Sequence, residues 1–345
     1  MDVLLTGRWA NDEEREGWAD ALRHAAEVAG LPLTWWVDRG DPPPTWPDRV
    51  EVAVVANPPP GRLQGLPKLR LIQSLWAGVD RLLADPTLPP QVPIARMVDP
   101  AMNAAMAETA LWAVLTLHRG FHHYAVQQRA GVWRQRAQRR ADEVAVTVLG
   151  WGQMGRAAAA RLAAQGYRVR AWRAGGGKGG AALTHAPDGG PLDGGGTVQV
   201  QVQVQVQVQV QAGPAALPAL LADSEIVVNL LPLTDATRGL IDADFLARLP
   251  AGAALVNLAR GGHVVEADLL AALDSGWLGH ALLDVFATEP LPAGHPFWSH
   301  PAVTLLPHAA ALTDARSAAA VVVENLRALH CGEPLRHRVD RQRGY

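Results

Sequence analysis

Residues 146–173, "VTVLGWGQMGRAAAARLAAQGYRVRAWR", leave the chain little choice of fold. An apolar run, Val144–Leu149, reads as a strand. An Ala-rich helical segment follows the loop Gly150-Trp151-Gly152-Gln153-Met154-Gly155, and a second strand, "RVRAW", completes a βαβ unit. In such a loop the first glycine makes the tight turn. The second lets backbone approach a pyrophosphate, and the third lets helix and strand pack closely. The amides of Gln153, Met154 and Gly155 open the helix and are available to an anion. This spacing in this context predicts a dinucleotide site built on Gly150, Gly152, Gln153, Met154 and Gly155.

The choice of dinucleotide turns on the end of the second strand. A site for NAD places Asp or Glu there to accept from the ribose 2′-hydroxyl. Here Arg173 stands in that place and Lys178 follows, with no carboxylate from Arg168 through Lys178. A 2′-phosphate would be attracted, so NADP(H) is expected to be preferred and NAD(H) remains usable. The competing reading of Arg173, an ordinary surface arginine, is the weaker of the two.

The same alternation extends in both directions. "DVLLTG", "LTWWV", "VEVAVVAN" and "LRLIQS" read as strands, with the helix "DEEREGWADALRHAAEVAG" after the first and a Pro-rich turn near residues 40–47. Met102–Ala130 reads as one long helix. A second alternating set runs from Val144 to Ala310, and a helix capped by Gly332 ends the chain. Strands alternating with helices predict parallel sheets covered on both faces. With 345 residues, 49% hydrophobic, the length suits roughly two domains.

Composition narrows the partners. There are 31 basic and 33 acidic residues, a net charge of −2, so no field for nucleic acid is implied. The densest basic run, "RQRAQRR" (Arg134–Arg140), reads as a solvated face. One cysteine, Cys331, excludes an intramolecular disulfide and a Cys-based metal site. No run approaches the ~20 apolar residues of a membrane span, and "MDVLLTGRWANDEE" lacks the layout of a signal peptide. A cytoplasmic protein with no metal is expected.

One region breaks the pattern. Gly175–Gln211 begins Gly/Pro-rich and ends in an uninterrupted Val-Gln alternation from Val198 to Gln211. Its period is that of a strand. Fully extended, it would reach ~46 Å, longer than an ordinary strand. An exposed version is an aggregation hazard.

Three strand ends carry polar residues in apolar surroundings: Arg260 in "ALVNLARGGHVVEADLLAAL", Asp284 and Glu289 in "HALLDVFATEPLP", and His308 in "AVTLLPHAA". C-terminal strand ends line the ligand crevice of a doubly wound sheet. Singly, each has an ordinary reading: a histidine after proline often caps or packs, an arginine often forms a salt bridge, a glutamate before proline often sits in a turn. His263, His295 and His300 are read as structural.

The ordered set "SLWAGVD", "LGWGQMG", "NLLPLTDATRGLI", "LVNLARGGHVVEADLLAALDSG", "LLDVFATEPLP", "LLPHAA" and "VDRQRGY" spans nearly the whole chain. It resembles the D-2-hydroxyacid dehydrogenase family, most of all its glyoxylate/hydroxypyruvate reductase A group. The resemblance implies two doubly wound parallel-sheet, Rossmann-like domains with an interdomain cleft. A discontinuous substrate-binding domain would span 1–103 and 311–345. The dinucleotide domain would span 104–310, with the low-complexity insertion at about 175–211. The resemblance implies a shorter connection there, in which "VQAG" alone would serve as the strand-like link to the next helix and the extra Val-Gln pairs would be a tandem expansion in a tolerant loop.

It implies reduction of a small 2-oxo acid by NADPH: glyoxylate to glycolate, or hydroxypyruvate to D-glycerate. Arg260 would bind and polarise the substrate, and His308 would be the acid that protonates its carbonyl oxygen. Glu289 would favour the imidazolium form of His308. The amides of Trp76, Ala77 and Gly78 would hold the carboxylate. Leu231, Pro232, Thr237, Leu258 and Ala259 would line the cofactor, and Asp284 would meet the nicotinamide carboxamide. The chemistry agrees: hydride addition leaves charge on oxygen, a positioned acid removes it, and a guanidinium forks onto a carboxylate. Trp76 departs from the small residue usual there, so its indole would narrow the pocket or else pack into the core. The resemblance also implies a homodimer. Two other readings stay open: the same chemistry on a different 2-oxo acid, and a non-catalytic dinucleotide sensor.

Overall fold

The computed structural model describes residues 1–40, 48–174 and 208–345. They form two compact units, Met1–Asn103 with Leu312–Tyr345, and Ala104–Ala311. Lys178, most of the Pro-rich turn and the repeat up to Gln207 lie outside the described residues.

The chain begins with β1 (Asp2–Gly7), α1 (Asp12–Val28), β2 (Thr34–Val37), β3 (Val50–Ala56), β4 (Leu71–Ser74), the short α2 (Asp80–Leu83) and β5 (Ile94–Ala95). Helix α1 starts where its sequence says it should. Asn11 caps it by accepting from Glu14 N at 2.8 Å, Glu14 reaches back to Ala10 N, and acids fill the first turn. Gly30, at φ +66°, lets the chain turn away.

The five strands are parallel in the order β2-β1-β3-β4-β5. β3 is apolar along almost its whole length because helices or loops cover both of its faces. The chain's last helix, α9 (Ala315–Cys331), belongs to this unit and packs beside α1. It is registered on β4 by a buried amide pair, Asn325 Nδ2 donating to Gln73 Oε1 at 2.8 Å.

The single long helix expected over Met102–Ala130 is in fact two. α3 (Pro100–His118) stops, Gly120 takes a left-handed φ of +67°, and α4 (Phe121–Arg129) begins. A glycine enters that conformation without the Cβ penalty that keeps other residues helical. Apolar spacing alone does not reveal such a break.

The second unit continues with β6 (Ala145–Leu149), α5 (Gln153–Ala164), β7 (Arg168–Arg173), β8 (Gln209–Ala212), α6 (Leu217–Ala222), β9 (Ile226–Asn229), α7 (Ala243–Ala247), β10 (Ala254–Asn257), α8 (Glu266–Asp274), β11 (His280–Leu283) and β12 (Val303–Leu305). Its seven strands are all parallel, in the order β12-β11-β10-β9-β6-β7-β8. The direction of winding reverses between β6 and β9, and in such a sheet that switch point opens the ligand crevice.

The end of the Val-Gln repeat is part of this sheet. β8 pairs with β7 from Arg170↔Gln209 to Arg173↔Ala212, and Val208 is buried in the core. The strand thus begins one residue before "VQAG", at Gln209. Among the described residues, no helix is long and apolar enough to cross a membrane.

Candidate active site

At the switch point the three glycines of the loop have different reasons to be glycine. Gly150 has φ +106°, and a Cβ there would lie 2.5 Å from Leu230 O. A Cβ on Gly155 would lie 1.9 Å from Gly150 O. The chain's own packing demands both. Among the described residues nothing lies within 4 Å of a Cβ on Gly152, so packing does not require a glycine there. The first intrahelical bond is Arg156 N to Gly152 O. The amides of Gln153, Met154 and Gly155 therefore open the helix with no intrahelical acceptor. Space, amides and helix dipole suit a dinucleotide pyrophosphate. Gly150 N donates to Trp172 O at 2.8 Å, which brings the end of β7, with its partly buried Arg173, beside the loop.

A polar network absent from the sequence reading supports the neighbouring loops. β9 and β10 each end in a fully buried asparagine, Asn229 and Asn257, in register. Asn229 Nδ2 donates to Asn257 Oδ1 at 3.0 Å, and Asn229 Oδ1 accepts from Leu231 N at 3.2 Å. Asn257 Nδ2 donates to Arg260 O at 3.1 Å. His263, fully buried, spans two loops: Nδ1 lies 3.0 Å from Arg260 O and Nε2 3.2 Å from Pro232 O. Thr237 is also buried, its hydroxyl donating to Pro232 O at 2.7 Å, so it shapes the Leu231–Thr237 loop from within. Leu258 and Ala259 are buried beside it. The matching asparagines at "IVVN" and "ALVN" were the available signal for this network.

The reactive side chains occupy the ends of the next strands. His308 follows β12 with φ +55°. That strained backbone is held by Asp284, which is 1% exposed. His308 N donates to Asp284 O at 2.8 Å, and the carboxylate accepts from Ala309 N at 2.7 Å and Ala310 N at 3.1 Å. Burial pushes the Asp284 carboxyl pKa up, and the two amides oppose that rise. His308 Nδ1 lies 2.8 Å from Glu289 Oε2, while Glu289 Oε1 accepts from Phe286 N at 3.1 Å. With Nδ1 committed to Glu289, Nε2 is the nitrogen left to exchange a proton. The imidazole is half exposed and the carboxylate is not, at 47% and 18%.

Arg260 lies on the same sheet edge, after β10, with one guanidinium nitrogen donating to Ala259 O at 2.8 Å. Gly261 brings its loop against the backbone of Phe286, in the loop that carries Glu289. Glu289 and His308 thus meet directly, and Arg260 stands at the adjacent strand end. His295 and His300 instead face Glu266 and Asp274, at 3.4 and 3.2 Å.

In the first unit, Trp76, Ala77 and Gly78 follow β4. The amide of Trp76 donates to Ser74 Oγ at 3.0 Å, so it serves the loop itself. Those of Ala77 and Gly78 make no hydrogen bond among the described residues. The Trp76 indole meets Trp18 of α1 edge-to-face at 6.1 Å.

Residues 111–182 and 197–310 match the profile described as D-isomer specific 2-hydroxyacid dehydrogenase, NAD binding domain. The chain is 34% identical over 337 residues to glyoxylate/hydroxypyruvate reductase A of Yersinia enterocolitica, covering 96% of this chain and 97% of that one. A crystal structure of a D-isomer specific 2-hydroxyacid dehydrogenase from Xanthobacter autotrophicus Py2, with NADPH and MES, is similar at 39% identity, TM-score 0.83 and 99% coverage of each chain. So is an NADPH-dependent glyoxylate/hydroxypyruvate reductase from Sinorhizobium meliloti with NADP and sulfate, at 32% identity and TM-score 0.81, covering 100% of this chain and 99% of that one. The chain belongs to the D-isomer specific 2-hydroxyacid dehydrogenase family.

Proposed function

We propose that the protein reduces small 2-oxo acids with NADPH, glyoxylate to glycolate and hydroxypyruvate to D-glycerate. The observation that carries this reading is the 2.8 Å contact between Glu289 and His308, on the C-terminal edge of the same sheet as the glycine loop and Arg260. The dinucleotide, when bound, supplies the hydride. Arg260 forks onto the 2-oxo acid and polarises its carbonyl. His308 delivers a proton from Nε2 to the carbonyl oxygen as charge develops there, and Glu289 orients the ring through Nδ1. The amides of Ala77 and Gly78 take the substrate carboxylate. Leu231, Pro232, Leu258 and Ala259 line the cofactor, with Thr237 bracing their loop. Asp284 holds the His308 backbone while its edge is offered to the nicotinamide carboxamide.

NADP(H) is preferred because Arg173 lies where a ribose 2′-phosphate would be read, and the Xanthobacter and Sinorhizobium relatives were crystallised with NADPH and NADP. Initial rates with both cofactors against glyoxylate, hydroxypyruvate and pyruvate test the reading. Comparable efficiency with pyruvate would point to a broader 2-oxo acid reductase. Arg173→Asp is expected to shift kcat/KM toward NADH by about tenfold or more, through loss of one charge-assisted contact and a new carboxylate for the 2′-hydroxyl. An unchanged cofactor ratio would remove Arg173 from that role.

The protein acts in the cytoplasm as a homodimer. Helix α4 buries none of its residues, Phe121 and Val126 are 49% and 54% exposed, and Trp133 nearby is 96% exposed. A cluster of exposed large apolar side chains marks an interaction surface. Sedimentation should show a dimer that Trp133→Glu weakens, and a wild-type monomer would refute this.

A further inference from the structure

Arg96 follows β5 in the first unit. The pairing Ile72↔Ile94 and Gln73↔Ala95 places it alongside Ser74, at the end of β4. Met97 N donates to Trp76 O at 3.1 Å, tying Arg96's neighbour to the loop that carries Ala77 and Gly78. The other enclosed arginines of this unit are all partnered. Arg15 sits between Asp12 and Glu16, Arg62 on Asp38, and Arg341 on Pro89 O and Val92 O.

Among the described residues, the Arg96 guanidinium has neither an ion pair nor a hydrogen bond. Burial alone lowers its pKa, with no carboxylate to oppose it. Asp99, close in sequence, is already engaged by Ala101 N and Ser317 Oγ. His337 adds no negative charge, and the charge of Arg96 helps hold its pKa down. Arg96 is half-buried, and a cation drawn partly out of water without a counter-ion is costly. The amides of Ala77 and Gly78 at the adjoining strand end also lack acceptors.

We infer that Arg96, with the amides of Ala77 and Gly78, forms the anion site that receives the carboxylate of the 2-oxo acid. This rests on the reaction proposed above.

The test uses the full chain and two variants, Arg96→Gln and Arg96→Lys, with oxamate as the carboxylate probe. In Arg96→Gln, KM for glyoxylate should rise about 30-fold, with kcat changed less than about threefold and KM for NADPH within about twofold. Arg96→Lys should fall between it and wild type, because an ammonium keeps the charge but loses the fork. Without ligand, Arg96→Gln should melt at or above the wild-type temperature, since an uncompensated charge has been removed. Oxamate should raise the melting temperature of NADP-loaded wild type and leave that of Arg96→Gln unmoved.

Wild-type KM and oxamate response in both variants would overturn the inference. So would a lowered melting temperature with unchanged KM, the signature of packing alone. A wild-type protein that turned over no 2-oxo acid, yet was stabilised by oxamate through Arg96, would sink the reaction and keep the anion site.

Discussion

His308→Asn is expected to lower kcat about a thousandfold, within the range lost when a positioned general acid is removed. NADPH affinity should stay within about twofold, because the side chain meets the reacting carbonyl rather than the dinucleotide loop. Asparagine is the informative replacement because His308 has φ +55°, a conformation asparagine tolerates better than most residues. The backbone bonds to Asp284 should then survive, and the loss would report chemistry rather than a collapsed loop. Glu289→Gln should cost less, about tenfold to a hundredfold, since it weakens the grip on Nδ1 without removing the proton donor. Single-turnover rates with NADPH bound in advance would read both. Near-wild-type turnover in His308→Asn would remove it from the chemistry.

Gly261→Ala should cost about 4 kcal/mol or more, beyond the ordinary range for a point substitution. A Cβ there would lie 1.9 Å from Phe286 C, 2.1 Å from its O and 2.4 Å from Ala287 N. All three are backbone atoms of the loop that positions Glu289, so no rotamer change relieves the clash. Two other glycines serve as controls. Gly262→Ala meets side-chain atoms of Leu233 and Arg238 at 3.1 and 3.3 Å, which can move, so its cost should stay near about 1 kcal/mol. Gly152→Ala meets nothing within 4 Å among the described residues. It should melt like wild type and bind NADPH more weakly, because the methyl group enters the space left for phosphate. Chemical denaturation and dinucleotide titration of the three variants separate the causes. A Gly261→Ala protein as stable as Gly262→Ala would show that the two loops yield.

Much of this fold was legible because strand and helix periods are local properties. β1 matches "DVLLTG" residue for residue, and the glycine loop starts straight after β6 and runs into the first turn of α5 as its spacing requires. The break at Gly120 was not legible, since an apolar stripe continues through a glycine whether or not it turns left-handed. The start of β8 at Gln209 was hidden for a related reason. In a strict Val-Gln alternation every register looks the same, and only pairing with β7 selects one.

The candidate site divides along the same line. The reaction class was legible through the ordered motifs that carry the family resemblance, those holding Arg260, Glu289 and His308 among them. Only the tertiary structure decided who holds whom. It gave Asp284 to the backbone of the His308 loop, the Trp76 amide to Ser74, and Asn229, Asn257 and His263 to the frame beneath Arg260. Among the described residues it left the Arg96 guanidinium without an ion pair or hydrogen bond. The physical reason is that a side chain's type sets what it can do. Whether it does chemistry or bracing depends on which donors and acceptors the sheet brings within about 3 Å of it, and those partners lie far apart in sequence.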